Sequence, residues 1–325
     1  MIRPRLLAVT SLAAVALTGC AAFSDTARDD GGGEGAPTVL ASFYPLEYLA
    51  AEIGGDRVEV GSITPPGADP HNVELAPRTV AELEEAALVL YVSGFQPAVD
   101  EAVDVTGARA FDAGEHTALL TTAQTGHDHA DHDHDHADDQ DHPHEDDHAD
   151  GAPLDPHFWL DPARLAEVAD ALADELAELD PDGATTYREN ADRVVATLEE
   201  LDAEITAGLA RCERRTIVVA HEAYGYLTTK HGLHQEGLSG IDPDAEPSPA
   251  RLAEIADVVA EHDVDTVFVE SLLSPAVSEA LAADLGLRTA VLDPLENQQD
   301  ASADYVDVMR ANLGALQDAL GCEPA

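Results

Sequence analysis

The arrangement of apolar residues along the chain predicts a protein in which strands and helices alternate. Short runs rich in β-branched residues, each ending in turn residues, are typical of buried strands. Six such runs lie at residues 38–41, 58–63, 88–92, 216–220, 266–269 and 289–292. The stretches between them have the apolar spacing of helices, and this alternation favours parallel sheets covered by helices on both faces. We therefore predict an α/β fold of two lobes, each with a mainly parallel sheet.

One long helix is predicted to join the two lobes. Its apolar residues recur at spacings of three and four, which forms a single apolar stripe. The stripe consists of Tyr187, Ala191, Val194, Leu198, Leu201, Ile205 and Leu209. We predict an N-terminal lobe at residues 38–183, a connecting helix at 184–211 and a C-terminal lobe at 212–325. A rigid connector of this kind predicts a modest rocking of the lobes on ligand binding.

Helix starts are marked by a capping side chain followed by a proline that suits the first turn. Three such pairs predict helix starts: Asp161-Pro162, Ser248-Pro249 and Ser274-Pro275.

The charge of the chain narrows the choice of ligands. Lys and Arg total 16 against 65 Asp and Glu, a formal net charge of -49. Such a field repels phosphate backbones, so nucleic-acid binding is excluded. It favours cations as ligands, although solubility in a salty or crowded setting explains the average charge equally well.

The N-terminus predicts export. Arg3 and Arg5 precede an apolar run at residues 6–17, which has the length of a signal-peptide core and is too short to span a bilayer. The run ends in Leu17-Thr18-Gly19-Cys20, which resembles the lipobox of bacterial lipoproteins. We predict a signal peptide at residues 1–19, lipidation of Cys20 and a flexible tether at 20–37, which places the protein on the outer face of the bacterial cell membrane. The alternative is an ordinary signal peptide with an incidental cysteine.

The two other cysteines, Cys212 and Cys322, lie in a chain predicted to be exported, where thiols are oxidised. We expect one disulfide between them. Two buried free thiols are the alternative.

Residues 127–150 differ abruptly in composition from the rest of the chain. The segment has eleven acidic residues and no aliphatic side chain larger than alanine, so it is predicted to be disordered. Its eight histidines would offer several weak, exchangeable sites for zinc, copper or nickel. They are His127, His129, His132, His134, His136, His142, His144 and His148. The alternative is a solvated acidic loop without a metal role.

Four side chains outside that segment are candidate metal ligands. His71 lies in a turn-rich loop after a predicted strand, and His157 leads into a capped helix. His221 and Asp293 each follow a predicted strand directly, so both would face the crevice at the carboxyl ends of the strands. Three imidazoles and one carboxylate suit tetrahedral zinc, with manganese and iron as poorer matches. Taken singly, each histidine also fits an ordinary loop residue.

A family resemblance ties these four residues together. Four segments, in order along nearly the whole mature chain, resemble the metal-site segments of the zinc-specific solute-binding lipoproteins of ABC transporters. They are Pro66-Gly67-Ala68-Asp69-Pro70-His71, Asp155-Pro156-His157-Phe158-Trp159-Leu160, Ala220-His221-Glu222-Ala223-Tyr224-Gly225-Tyr226 and Leu292-Asp293-Pro294-Leu295. An acidic, histidine-rich insertion between the first two ligands is also typical of that family.

The resemblance implies that His71, His157, His221 and Asp293 bind the metal. Manganese-binding relatives usually have Glu at the third position, so His221 favours zinc. Glu222 would replace it if the strand ended one residue later. The chain departs from the family at Leu295-Glu296-Asn297, where Gly commonly follows the Leu, and we expect this difference to alter the loop without changing the ligands.

The resemblance implies a monomeric extracytoplasmic receptor, not an enzyme, that captures Zn(II) between two lobes and delivers it to a membrane permease. The alternatives are a Mn(II) receptor of the same family, and a metal-buffering surface adhesin that acts through residues 127–150. A zinc hydrolase with Asp293 as its base is a further rival.

Overall fold

The computed structural model describes residues 35–126, 153–272 and 274–323. Its first sheet has four parallel strands in the order β2-β1-β3-β4. They are β1 (Thr38–Ala41), β2 (Glu59–Ser62), β3 (Leu88–Tyr91) and β4 (Ala110–Asp112). Helices α1 (Tyr44–Gly54), α2 (Pro77–Glu85) and α3 (Pro97–Thr106) connect successive strands. Parallel neighbours need such crossovers, and the helices cover the sheet.

The second sheet repeats this plan. Its parallel strands lie in the order β6-β5-β7-β8. They are β5 (Thr216–Val219), β6 (His234–Gly237), β7 (Thr266–Val269) and β8 (Arg288–Val291). The crossover helices are α6 (Gly225–His231), α7 (Pro249–Glu261) and α8 (Ala276–Leu285). The predicted α/β class with two parallel sheets is therefore confirmed.

Three longer helices complete the described part of the chain: α4 (Pro162–Leu179), α5 (Ala184–Leu209) and α9 (Tyr305–Leu320). Helix α5 is the predicted connecting helix, and its apolar stripe is buried against α4, α1 and α9. From Ala36 onward the chain forms one compact unit that contains both sheets. The lobe boundaries at residues 183 and 212 stay a prediction.

Side chains alternate across each sheet between two apolar clusters, because successive residues of a strand point to opposite faces. In β1, Val39 and Ala41 pack into the large core shared with α1, α4, α5 and α9, whereas Leu40 packs against a smaller cluster beneath α2 and α3. In β5, Ile217 joins the shared core and Val218 joins the cluster beneath α7 and α8. Each sheet is thus buried on both faces.

Two of the three predicted helix starts are confirmed. Asp161 caps α4 by accepting a hydrogen bond from the backbone N–H of Ala163, and Ser248 caps α7 by accepting one from Arg251. The prediction for Ser274 is wrong, since α8 begins at Ala276 and Pro275 occupies the cap position without a side-chain hydrogen bond.

The expected disulfide joins Cys212 to Cys322 and ties the end of α9 to the segment before β5. The predicted signal peptide, Cys20 and the histidine-rich segment at residues 127–150 lie outside the described residues. Among the helices of the described ranges, none combines the length and the apolar character needed to cross a bilayer.

Candidate metal centre

Four loops bring three histidines and one glutamate together between the sheets. His71 lies in the loop after β2, and His157 directly precedes a single helical turn that leads into α4. His221 follows β5 after one intervening residue, and Glu296 lies in the loop after β8. Parallel strands present their carboxyl ends at one edge of a sheet, which is where ligands collect in open α/β folds.

One carboxylate oxygen lies at the centre of the group. Glu296 Oε1 is 3.1 Å from Nε2 of His71, 3.4 Å from Nε2 of His157 and 3.3 Å from Nε2 of His221. The Nε2 atoms of His71 and His157 are 3.4 Å apart. One ligand atom from each of the four residues lies within 4.8 Å of all the others, so the group can surround a single ion.

The four side chains are almost entirely removed from water. The side chains of His157 and His221 are 0% exposed, that of Glu296 is 3% exposed and that of His71 is 8% exposed. Burying an anion next to imidazoles without compensation would be costly, so the group must be paired, protonated or bound to a cation. His71 is the member of the group most open to solvent.

Two further carboxylates hold the outer nitrogens of the buried histidines. Asp155 Oδ1 lies 2.8 Å from His157 Nδ1, and Glu270 Oε1 lies 2.7 Å from His221 Nδ1. The same two oxygens accept hydrogen bonds from the backbone N–H groups of His157 and His221. Each ring is therefore oriented with Nε2 toward Glu296.

These neighbours shift the protonation equilibria of the group. Burial by itself would lower the pKa of His157, but hydrogen bonds to Asp155 and Glu296 outweigh it and raise the pKa. Burial likewise opposes charge on His221, whose pKa is raised well above its usual value by Glu270 and Glu296. Burial would raise the pKa of Glu296, yet its close contacts with the three histidines hold that pKa well below its usual range.

The group has the chemistry of a zinc site. Three imidazole nitrogens and one carboxylate oxygen form a usual tetrahedral ligand set for zinc. His221 Nε2 is buried and, within the described residues, has no hydrogen bond of good geometry, although Glu296 Oε1 is near. When the ring is neutral, this nitrogen carries a lone pair aimed at the centre of the group, as a metal ligand requires.

The model of a known protein family matches most of the chain. The family model described as "Zinc-uptake complex component A periplasmic" (ZnuA) matches residues 39–319. The chain belongs to the ZnuA family. The family comprises metal-binding receptors rather than enzymes, as the sequence predicts.

Curated ZnuA relatives resemble the chain along most of its length. "Zinc-binding lipoprotein AdcA" of Streptococcus pneumoniae is 30% identical over 306 residues, which cover 92% of this chain and 58% of that protein. "High-affinity zinc uptake system protein ZnuA" of Bacillus subtilis is 29% identical over 300 residues, which cover 87% of each chain. The chain thus spans little more than half the length of the AdcA proteins that it matches.

Solved ZnuA-like structures share the fold. The Zn(II)-bound ZnuA-like domain of Streptococcus pneumoniae AdcA has a TM-score of 0.70 and 27% identity, covering 88% of this chain and 99% of that one. The laminin-binding protein Lmb of Streptococcus agalactiae has a TM-score of 0.74 and 30% identity, covering 87% and 99%. Lmb is described as bifunctional, with adhesin and metal-transporting activity.

Within this ZnuA fold, the fourth member of the group differs from the sequence prediction. The structure brings together the predicted His71, His157 and His221, but with Glu296 in place of Asp293. Asp293 Oδ1 instead accepts a hydrogen bond from the backbone N–H of Leu295 at 2.8 Å, so the carboxylate folds back on its own loop. Asp293 therefore shapes the loop that presents Glu296. The sequence holds one signal for Glu296: it is a second acidic residue three positions after Asp293, in a segment that departs from the family pattern.

The alternative third ligand, Glu222, faces away from the histidines. Its carboxylate accepts a hydrogen bond from Gly237 N and lies 3.6 Å from the guanidinium of Arg251. His221, which the resemblance favoured, is the residue that the structure brings into the group.

Aromatic rings form one wall of the centre. The Phe95 ring meets the His71 ring edge-on at 4.7 Å between centroids, and the Trp159 ring lies 5.1 Å from the His157 ring. Trp159 is fully buried and is the single tryptophan of the chain. Residues 127–150 contain no tryptophan, so tryptophan fluorescence reports on the centre and not on that segment.

Proposed function

We propose that this protein captures Zn(II) outside the cytoplasm and delivers it to the membrane permease of a zinc-uptake ABC transporter. The observation that carries the proposal is the convergence of His71, His157, His221 and Glu296 on one point. In this proposal the four residues are the zinc ligands, and Glu296 takes the place that the sequence assigned to Asp293.

The ligand set favours zinc over manganese. Nitrogen-rich tetrahedral sites suit zinc, whereas manganese prefers oxygen ligands and higher coordination. A fourth protein ligand also occupies the position that a hydrolytic zinc enzyme keeps open for water. The set therefore favours a carrier over the hydrolase.

The relatives support the same assignment. AdcA of Streptococcus pneumoniae is named a zinc-binding lipoprotein, and its ZnuA-like domain has been solved with Zn(II) bound. ZnuA of Bacillus subtilis is named a high-affinity zinc uptake protein. We extend these properties to this chain, together with a lipid anchor at Cys20, a monomeric state and release by separation of the lobes.

The proposal is tested by competition titration of Zn(II) and Mn(II), followed through Trp159 fluorescence with the bound metal counted. The chain starts after Cys20 and is measured with and without residues 127–150. We expect one tight zinc per chain that manganese does not displace, whether or not residues 127–150 are present. His221→Ala should abolish it, and a strain lacking the protein should regain growth in chelated medium only with the unsubstituted gene.

A matched pair of substitutions decides the fourth ligand. Glu296→Gln should weaken zinc binding by about 100-fold or more, because a neutral amide is a poorer ligand than a carboxylate. Asp293→Asn should leave the affinity within about threefold, because an amide oxygen can still accept the hydrogen bond from Leu295. The reverse order would make Asp293 the ligand. Loss of all tight zinc on deletion of residues 127–150 would instead favour the metal-buffering adhesin.

A further inference from the structure

The loop after β8 presents two neighbouring polar side chains to the first half of the molecule. Glu296 reaches the histidines, and the next residue, Asn297, is also buried, with 8% of its surface exposed. The backbone turns sharply just before them, since Leu295 has a φ of +59°, in the left-handed region. The mechanism proposed above uses Glu296 and leaves Asn297 without a role.

The side-chain amide of Asn297 binds one turn of the loop that carries His71. Asn297 Oδ1 accepts a hydrogen bond from Gly67 N at 3.1 Å. Asn297 Nδ2 donates to the carbonyl oxygens of Pro65 and Ala68, at 3.0 and 3.1 Å. The amide thus uses both its N–H groups and its oxygen on a single turn, more than two hundred residues away in sequence.

The turn that Asn297 recognises is well defined. Ala68 N donates to Pro65 O at 3.0 Å, and Gly67 has a φ of +76°. Proline at the second position with a left-handed glycine at the third is the pattern of a type II turn. Its backbone groups are therefore set before Asn297 meets them.

The same loop is held from its own side by a second amide. The buried Gln96 donates from Nε2 to Pro70 O at 3.2 Å and to Thr64 Oγ1 at 3.1 Å. His71 N donates to Asp69 Oδ1 at 2.8 Å. Between these contacts little freedom remains for the loop, so a movement of the turn at residues 65–68 also moves His71.

We propose that Asn297 is a positioning residue of the metal centre. It docks the turn at residues 65–68 beside Glu296, sets His71 against Glu296 Oε1 and slows release of the metal. Withdrawal of His71 from Glu296 breaks these three partly buried hydrogen bonds, so the residue next to one ligand controls the departure of another. This proposal rests on the proposed function.

The test compares metal release from the full chain and from two variants, Asn297→Leu and Asn297→Ala. Leucine has nearly the size of asparagine but cannot make the hydrogen bonds, and alanine cannot clash with the turn. The control is Gln298→Leu, because Gln298 is exposed on the same loop and its side chain bonds to Ala303 O and Tyr44 Oη instead of residues 65–68. Zinc-loaded protein is mixed with excess chelator, and release is followed through Trp159 fluorescence.

We expect both Asn297 variants to bind one zinc per chain with an association rate close to that of the unsubstituted protein. Their release should be about tenfold faster or more, since three partly buried hydrogen bonds are lost. The control should release zinc at the unsubstituted rate. Release rates within about twofold of each other in all four proteins would overturn the proposal, as would equal acceleration in the Gln298 control.

A second measurement separates this proposal from the proposed function. In metal-free protein, the Gly67 amide should exchange with solvent hydrogen faster in both Asn297 variants and not in the Gln298 control, because Asn297 Oδ1 is its acceptor. If the unsubstituted protein binds no tight zinc, the proposed function fails, while Gly67 exchange still tests the docking of the turn. Unchanged Gly67 exchange in both variants overturns the positioning role.

Discussion

His157 and His221 each have one ring nitrogen on a buried carboxylate and the other directed at Glu296. A carboxylate accepts the N–H at Nδ1, which leaves the lone pair on Nε2 available to a metal ion. Asp155, two residues before His157, contacts Nδ1 of that ring. Glu270, directly after β7, contacts Nδ1 of His221. When the rings are neutral, this arrangement gives them the tautomer that binds metal through Nε2.

Replacement of Glu270 tests this arrangement. Glu270→Gln keeps a hydrogen-bond acceptor but removes the negative charge that makes the His221 ring more basic, so zinc affinity should fall by about 10- to 100-fold. The measurement is a zinc titration followed by Trp159 fluorescence. The control is Glu261→Gln, at the exposed end of α7, which should bind zinc as the unsubstituted chain does. An unchanged affinity in Glu270→Gln would contradict a role for the carboxylate.

Sequence reasoning located three of the four clustered side chains and did not include the fourth, Glu296, while the metal-ligand role of Asp293 stays a prediction. His71 lies in a turn-rich loop after a strand, His157 lies before a capped helix and His221 lies at a strand end, and these positions can be inferred from apolar runs and turn residues. The choice between Asp293 and Glu296 depends on how the loop turns at Leu295, whose φ of +59° is uncommon for a residue other than glycine. Nothing in the local sequence indicates that backbone conformation.

At the scale of elements, the length and the β-branched content of an apolar run decide which strand predictions succeed. The apolar runs of β1, β3, β5 and β7 are central in their sheets and are readily found. The edge strands β2 and β8 were also predicted, from β-branched runs, whereas the edge strands β4 and β6 were not, because β4 has three residues and β6 is mostly polar. Strand β6 is His-Gln-Glu-Gly, a sequence without a β-branched residue.

Helix α5 should contribute strongly to stability through its apolar stripe. Leu198 is fully buried near the middle of the helix, within the core shared by both sheets. Leu198→Ala should lower the free energy of unfolding by about 2–5 kcal/mol, because the lost contacts leave a cavity. Glu199→Ala, one residue along on the exposed face, should change it by less than about 0.5 kcal/mol. Chemical denaturation of metal-free protein measures both values, and similar small effects would show that the stripe is not part of one cooperative core.

At the scale of the whole molecule, the metal centre makes folding stability depend on pH. As pH rises, metal-free protein should lose stability, whereas the stabilisation that zinc provides should grow. In metal-free protein, the raised pKa values of His157 and His221 favour protonated rings around the Glu296 carboxylate. Zinc must displace those protons, because only neutral imidazole binds metal. Metal and protons therefore compete for the same nitrogen atoms.

The sign of the effect follows from the direction of each shift. A histidine with a raised pKa in the folded state stabilises fully below its unfolded pKa of about 6.5, and this contribution is lost as pH rises through the folded pKa. The lowered pKa of Glu296 contributes stability that is present above its unfolded pKa and is lost as pH falls through its folded pKa. Metal-free protein should thus lose stability from about pH 6.5 upward.

Thermal unfolding from about pH 5.5 to about pH 8.5, with and without zinc, measures this competition. The melting temperature of zinc-loaded protein should exceed that of metal-free protein by an amount that grows as pH rises. The net charge of -49 also destabilises the fold at higher pH through self-repulsion, so the slope for metal-free protein alone is ambiguous. Glu296→Gln changes the overall charge by one but removes the anion that all three rings share. The fall in the melting temperature of metal-free protein above about pH 6.5 should therefore be shallower in this variant. Parallel slopes in the two metal-free proteins would assign the pH dependence to overall charge and not to the centre.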